Sequence, residues 1–306
     1  MKNNVFSLLH NPSRVLSAIV SRSRFILPDK FLVEMVYRLN MHEWPNLKNP
    51  KTFNEKLTWL KVYYRNPSYT PLVDKYDVKD YVKETIGEEY LIPTLGIWNH
   101  FDEIDFSALP QQFVLKTTHD SGNLGVIICK DKDSFDIDKA RQIINKSIKD
   151  QNKVYQGEWP YLGLKPRIIA EKYMEDHKTG ELRDYKFFCF NGEVKALFVA
   201  SERQRREEPY FDFFDSNFVH LNFTQGHPNN PSSIEKPLQF DEMKRLASKL
   251  TRGIPCVRCD LYEVDGKVYF GELTFFHFGG IVPFNPREVD EQWGDWIKLP
   301  KANNNI

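Results

Sequence analysis

Arg258, Asp260 and Glu272 are the residues of this chain whose types and spacing best suit chemistry. They lie in Arg258-Cys-Asp260-Leu-Tyr-Glu-Val-Asp265-Gly266-Lys-Val-Tyr-Phe-Gly-Glu272-Leu-Thr274, two apolar-rich runs around Asp-Gly, and these two residues tolerate the positive φ of a tight hairpin turn. Side chains alternate along a strand, so Val257, Cys259 and Leu261 share one face while Arg258, Asp260 and Tyr262 share the other. On the return strand the same rule groups Phe270, Glu272 and Thr274. A three-residue loop, Asp265 to Lys267, predicts Asp260 directly opposite Glu272, whereas a two-residue loop offsets them by one. Opposed side chains have Cβ atoms ~5 Å apart, and like charges there repel unless something neutralises them. Magnesium is the natural neutraliser, because it takes one or two carboxylates and fills its remaining positions with water and phosphate oxygens. The hairpin is therefore a candidate for holding a nucleotide-bound metal. Two acids alone more often decorate a solvated face, so the rest of the chain has to carry the case.

Those strands need a core and partners. The chain has 306 residues, 42 Lys+Arg against 42 Asp+Glu, 41% apolar residues, 23 Phe and 14 Tyr. This is the composition of a packed globular protein, long enough for two or three lobes. A net charge of zero argues against a broad nucleic-acid footprint. Cys129, Cys189, Cys256 and Cys259 fall in strand-like segments and read as reduced core residues of a cytoplasmic protein. Cys256-x-x-Cys259 has no second pair to complete a zinc site. No run of 18 or more apolar residues is present. The first thirty residues mix apolar positions with Arg14, Arg22, Arg24 and Lys30 and lack the unbroken apolar core of a signal peptide. They are expected to pack against the body, with peripheral contact at the inner face of a membrane as the second reading.

Residues 1–70 read as helical, punctuated by Pro28, Pro45, Pro50 and Pro67. A helix is predicted from Val78 to Thr85, a strand from Phe113 to Lys116, a glycine-bearing loop from His119 to Gly125 and a strand from Val126 to Cys129. Next come a charged helix from Asp138 to Asp150, a strand from Ile168 to Met174, and a hairpin of Asp184–Phe190 and Glu193–Ala200 turned by Asn191-Gly192. A helix is predicted over Leu238–Leu250, with Phe240, Met243, Leu246, Ala247 and Leu250 at helical spacing. In Tyr210-Phe-Asp-Phe-Phe-Asp215, alternate positions are expected in the core, with Asp212 outward. Hairpins with helices between them make an α+β protein.

Asp74-Lys75, the Lys116 strand with its glycine loop, Glu171-Lys-Tyr-Met174 and the Asp260/Glu272 hairpin follow the order and approximate spacing of the ATP-grasp superfamily. Thr52-Phe-Asn-Glu-Lys56, Tyr90-Leu-Ile-Pro, Phe113-Val-Leu-Lys116 and His119-Asp-Ser-Gly122 more closely resemble its teichuronopeptide-biosynthesis branch, over roughly residues 45 to 285. That resemblance implies an ATP-grasp fold, two α+β lobes closing on ATP, preceded by a mostly helical N-terminal region. It places the N-terminal region at 1–70 and the ATP-grasp domain at 71–300, with a small lobe at about 112–172 and a C-terminal lobe at about 173–300.

The resemblance also implies roles. Lys75 and Lys116 reach the α- and β-phosphates, and Ser121, Gly122, Asn123 and Gly125 close over them. Glu171, Lys172, Tyr173 and Met174 hold adenine and Asp184 holds ribose, while Lys186 meets the γ-phosphate. Asp260, Glu272 and Thr274 hold magnesium, with Thr274 where many relatives have Asn. Arg258 steadies the acyl oxyanion. Apart from the resemblance, the charge run Glu202–Glu208 reads either as a solvated run or, following a strand beside the presumed cleft, as a grip on an anionic acceptor through Arg203 or Arg206, since forked guanidinium groups match carboxylate and phosphate. His119 and His277 receive no proton-transfer role. The implied activity is ATP- and Mg²⁺-dependent ligation of a carboxylate to an amine. Its implied partners are a carboxylate-bearing glycan or sugar nucleotide of a bacterial surface polysaccharide and an amine or amino acid. The rival reading is a sugar-nucleotide glycosyltransferase, whose Asp-x-Asp motif is matched by Asp131-Lys-Asp133.

Overall fold

The computed structural model describes residues 12–23, 25–120, 124–150, 155–178, 180, 182–202 and 208–303. Three helices come first: α1 (Pro12–Val20), α2 (Asp29–Met41) and α3 (Phe53–Tyr63). Helix α3 starts where its sequence dictates. Thr52 accepts a hydrogen bond from the Glu55 amide at 3.1 Å and Glu55 accepts one from the Thr52 amide at 3.3 Å, a reciprocal cap that satisfies two orphan donors.

A one-turn helix (Thr70–Val73) and α4 (Val78–Thr85) lead into a four-stranded antiparallel sheet of β1 (Thr94–Trp98), β2 (Phe113–Thr117), β3 (Val126–Cys129) and β4 (Ile168–Lys172). The sheet order is β1-β4-β2-β3, and α5 (Ile137–Asp150) packs behind it. Along β2, Phe113, Leu115 and Thr117 are buried while Val114 and Lys116 are partly exposed, the alternation expected of a half-buried strand. The buried set joins Phe101, Leu109, Ile144 and Ile168 in a core of its own.

The second, six-stranded sheet has the order β11-β10-β5-β6-β7-β8. Its strands are β5 (Asp184–Phe190), β6 (Glu193–Ser201), β7 (Tyr210–Asp215), β8 (His220–Leu221), β10 (Val257–Val264) and β11 (Lys267–Thr274). The short strands β9 (Thr224–Gln225) and β12 (Phe284–Asn285) pair separately. Helices α6 (Phe240–Leu250) and α7 (Glu288–Trp296) complete the lobe. The phenylalanines concentrate here: Phe53, Phe188, Phe213 and Phe284 surround Trp293 with ring centroids 4.7–6.1 Å apart. Aromatic pairs at this spacing each add about 0.5–1.5 kcal/mol beyond area burial.

The helical region of residues 1–70 does not share one core. Leu32, Val33 and Val36 of α2 form a separate cluster with Leu47 and Tyr155. Phe53, Leu57 and Leu60 of α3 instead belong to the core of the six-stranded sheet. Asn54 fixes that attachment through its amide and side chain, both donating to Asp290 of α7 at 3.0 and 2.9 Å. Asp212 also departs from its expected outward position. It is 1% exposed because segment 228–230 covers that face, with the Asn230 amide donating to it at 3.0 Å.

The β10–β11 hairpin reaches its register by a different device from the predicted three-residue loop. Val264 pairs with Lys267 across a two-residue turn, with Asp265 and Gly266 at φ 50° and 75°. Asp260 nonetheless faces Glu272, because the register shifts by one between Leu261↔Phe270 and Asp260↔Glu272. Gly271 is the extra residue of a β-bulge, which re-aims the strand beyond it. The bulge also breaks the predicted row, pairing Phe270 with Leu261 and leaving Glu272 and Thr274 with Asp260 and Arg258. A Cβ on Gly271 would lie 2.9 Å from the Asp260 carbonyl oxygen and from the Tyr262 ring. Gly271→Ala is therefore expected to cost about 1–3 kcal/mol in urea unfolding; unchanged stability would mean that the bulge absorbs a side chain.

Candidate functional site

A cleft of about 300 Å³ opens between the two sheets. Val114, Lys116, Val126, Ile128 and Glu171 line it from the four-stranded sheet, and Asp184, Lys186, Ala200, Tyr262 and Glu272 from the six-stranded one. Lys75 and Lys79 contribute from the segment before β1, Lys172 from the end of β4, and Tyr173 and Met174 from the connection after it. Apolar branched side chains with aromatic ones suit a flat ring, and the lysines suit anions. The sequence-predicted residues Lys75, Lys116, Glu171, Lys172, Tyr173, Met174, Asp184, Lys186 and Glu272 thus converge on one cavity. Ser121, Gly122, Asn123, Arg203 and Arg206 lie outside the described residues.

Behind Glu272 the polar groups form a closed network. Arg258 donates to both oxygens of Asp260 at 2.7 Å, to Thr274 Oγ1 at 2.9 Å and, at 3.4 Å, to Glu272. Lys186 sits directly opposite Asp260, forms an ion pair with it, and stands 3.3 Å from Asp184. Asp260 is fully buried. Burial alone would raise its pKa, but the Arg258 guanidinium and Lys186 ammonium overcome that and hold the carboxyl well below the usual range. Burial pushes the Lys186 pKa down against the pull of Asp260. Glu272 is the open member, with 38% of its side chain exposed and, among the described residues, further hydrogen-bonded only by Thr274 at 3.2 Å.

His277 completes the network in a positioning role. Arg258 Nη1 lies 2.8 Å from His277 Nδ1. A guanidinium only donates, so Nδ1 carries the lone pair and the ring proton sits on Nε2. Burial, reinforced by the Arg258 charge, holds the His277 pKa well below its ordinary value, which suits a neutral acceptor.

The lysines of the cleft are braced as well. Glu171, 5% exposed, bridges Lys116 at 2.6 Å and Lys79 at 2.5 Å. Its backbone pairs with β1 and β2 on both sides, so its contribution to the site runs through its carboxylate. Burial raises the Glu171 pKa, and the two lysines more than reverse this. Lys75 donates to the Asp120 carbonyl, and burial lowers its pKa. Gly125 does not line the cleft; it lets the hairpin close, since a Cβ there would meet Thr117 Oγ1 and Ser147 Oγ at 2.1 and 2.6 Å. Asp131 and Asp133 are exposed, and Asp131 caps its own turn by accepting from the Asp133 amide at 3.2 Å and Ser134 Oγ at 2.8 Å. The Asp-x-Asp triplet therefore has a local structural use away from the cleft.

Two lysines were missed in the sequence. Lys79 is one, and Lys61 is the other. Lys61 is 2% exposed and donates to the carbonyls of Gln156 at 2.8 Å and Gly279 at 2.6 Å, tying two loops together. The second loop holds Phe276, Phe278, Gly279 and Gly280, all at positive φ, beside His277. Spacing offered a signal, because Lys61 follows Phe53 and Leu57 by eight and four residues on the apolar stripe of α3. Burial pushes its pKa down to about 8, against the opposing charge of Glu158. Between pH 8 and the ordinary 10.5, the folded chain has released a proton that the unfolded chain keeps. Stability from this group therefore rises with pH across that window, by up to about 1.4 kcal/mol per pH unit. Lys61→Met is expected to remove that rise in denaturation midpoints measured across the window; an unchanged slope would refute the shift.

Among the described residues no group of three or more His, Cys, Asp or Glu gathers as a metal cage, and no helix is long and apolar enough to cross a membrane. A family model described as TupA-like ATPgrasp matches residues 55–298. No curated protein matches the chain. Among solved structures, the D-alanine–D-alanine ligase of Bacillus anthracis is 16% identical, with 67% of this chain and 57% of that one covered, at a TM-score of 0.39. The chain thus spans little more than half of that enzyme's length. The D-alanine–D-alanine ligase of Helicobacter pylori is 14% identical over 83% of this chain and 68% of that one, at a TM-score of 0.45. The ATP-grasp ligase PsnB, in complex with minimal precursor, Mg and ADP, is 12% identical over 90% of this chain and 66% of that one, at a TM-score of 0.40.

Proposed function

Since the chain belongs to the TupA-like ATP-grasp family, we propose that it is an ATP- and magnesium-dependent ligase joining a carboxylate to an amine through an acyl phosphate. The observation that carries this reading is the register of Asp260 against Glu272, with Arg258 and Thr274 on the same face, at the foot of a lysine-lined cleft. Lys75 and Lys116 are assigned the α- and β-phosphates, Lys172 to Met174 the adenine, Asp184 the ribose and Lys186 the γ-phosphate. Ser121, Gly122 and Asn123 are assigned the covering loop and Arg203 the acceptor.

Glu272 is the open donor for magnesium, with its carboxylate lining the cleft; Asp260 and Thr274 offer hard oxygens behind it that Arg258 and Lys186 now hold and would have to share with the ion. Bound magnesium would supply neutralisation of phosphate charge. The protein's own part is positioning and electrostatics. An acceptor carboxylate oxygen bonds to the γ-phosphorus of ATP as ADP leaves. An amine then bonds to the acyl carbon, phosphate leaves, and the amine gives up its proton. Arg258, fixed by Asp260 and His277, supplies a preorganised cation near the developing charge. The acceptor is proposed to be a uronic acid or other carboxylate of a bacterial surface polysaccharide or its precursor, processed on the cytoplasmic side where ATP is available.

Phosphate release from MgATP with candidate carboxylates and amines tests this directly. Release that requires both co-substrates is expected, together with calorimetric binding of ATP but not of uridine diphosphate sugars. Release of a nucleoside diphosphate from a sugar donor without ATP would replace the ligase with a glycosyltransferase.

A further inference from the structure

Helix α1 is turned inside out for a surface helix. Ser17 faces the protein at 5% exposed and Ser21, just past the helix, is fully buried, with Asn40 Nδ2 donating to Ser17 Oγ at 2.8 Å and the Tyr155 amide to the Ser21 carbonyl at 2.9 Å. Val20 packs against the α2 cluster, but Leu16 and Ile19 face solvent at 46% and 57% exposed. The turn that follows presents Phe25 and Ile26 side by side at 86% and 84%. A surface helix ordinarily buries its apolar stripe, and contiguous exposed apolar groups mark a surface that meets an apolar partner.

Charge identifies that partner. In a chain of zero net charge, the first 28 residues contain Lys2, Arg14, Arg22 and Arg24 and no acid. The first acid, Asp29, is already engaged by Arg65 at 2.5 Å. Basic residues interspersed in sequence with aliphatic and aromatic ones match an anionic lipid surface, where headgroups take the cations and the acyl boundary takes the apolar side chains. A second copy would bring one basic segment against another. We infer that α1 and the turn at residues 25–26 form a docking face for an anionic lipid bilayer. This stands apart from the ligase reading, since none of its residues lines the cleft.

Co-flotation of the full chain tests it, using phosphatidylcholine vesicles with and without about one-third phosphatidylglycerol. The full chain is expected to float with the anionic vesicles only, and to be released as salt shortens the reach of charge to a few ångströms, on the order of 3 Å at 1 M. Phe25→Ser with Ile26→Ser is expected to weaken partitioning by about tenfold or more, as is Leu16→Ser with Ile19→Ser, with the melting temperature unchanged. Three results would overturn the inference. One is that the parent stays with neither vesicle, and another is that the variants float as well as the parent. The third is that light scattering finds a dimer which those variants dissociate, giving the face to a second copy.

Discussion

Glu272→Gln is expected to lower ATP turnover by roughly 10²- to 10³-fold, the loss of several kcal/mol of charge stabilisation, while leaving the fold intact. The two effects separate because Glu272 is the exposed member of its network. Among the described residues its carboxylate accepts only a long bond from Arg258 and one from Thr274, and Arg258 keeps Asp260 and Thr274 Oγ1 as partners when it goes. Asp260→Asn should abolish turnover too, but for mixed reasons. That carboxylate is buried and balances both Arg258 and Lys186, so removing its charge leaves two buried cations under-compensated, at about 3–5 kcal/mol. Turnover and urea unfolding measured on both variants distinguish the roles. Full amine-dependent turnover in Glu272→Gln would remove the metal assignment, and equal destabilisation by the two changes would contradict the difference in burial.

Glu171→Gln is the second large effect. The buried carboxylate stands between Lys116 and Lys79, and an amide there leaves two facing ammonium groups with no counter-charge. A loss of about 3 kcal/mol is expected. An anion that takes over the counter-charge should restore part of it, because a ligand binding only the folded state stabilises by mass action. ATP is therefore expected to raise the melting temperature of Glu171→Gln more than that of the parent. An equal increment in both would mean that the phosphates do not reach Lys116, and an unchanged apo melting temperature would mean that the two lysines part without cost.

The sequence by itself determined the elements and most of the site's membership. Apolar runs located β2, Asp-Gly located the hairpin, and helical spacing located α6. These follow from periods and turn chemistry, which are local. Tertiary structure decided what local rules do not reach. The facing of Asp260 and Glu272 depends on a bulge at Gly271, which leaves no mark in strand period and reverses what a two-residue turn alone would give. Burial of Asp212 depends on a loop sixteen or more residues away that crosses its face. The bridge of Glu171 to Lys79 and the reach of Lys61 to Gly279 join residues 92 and 218 positions apart. A side chain's charge is written in its sequence, but whether that charge meets water, a counter-charge or a carbonyl is set by which distant segments pack against it.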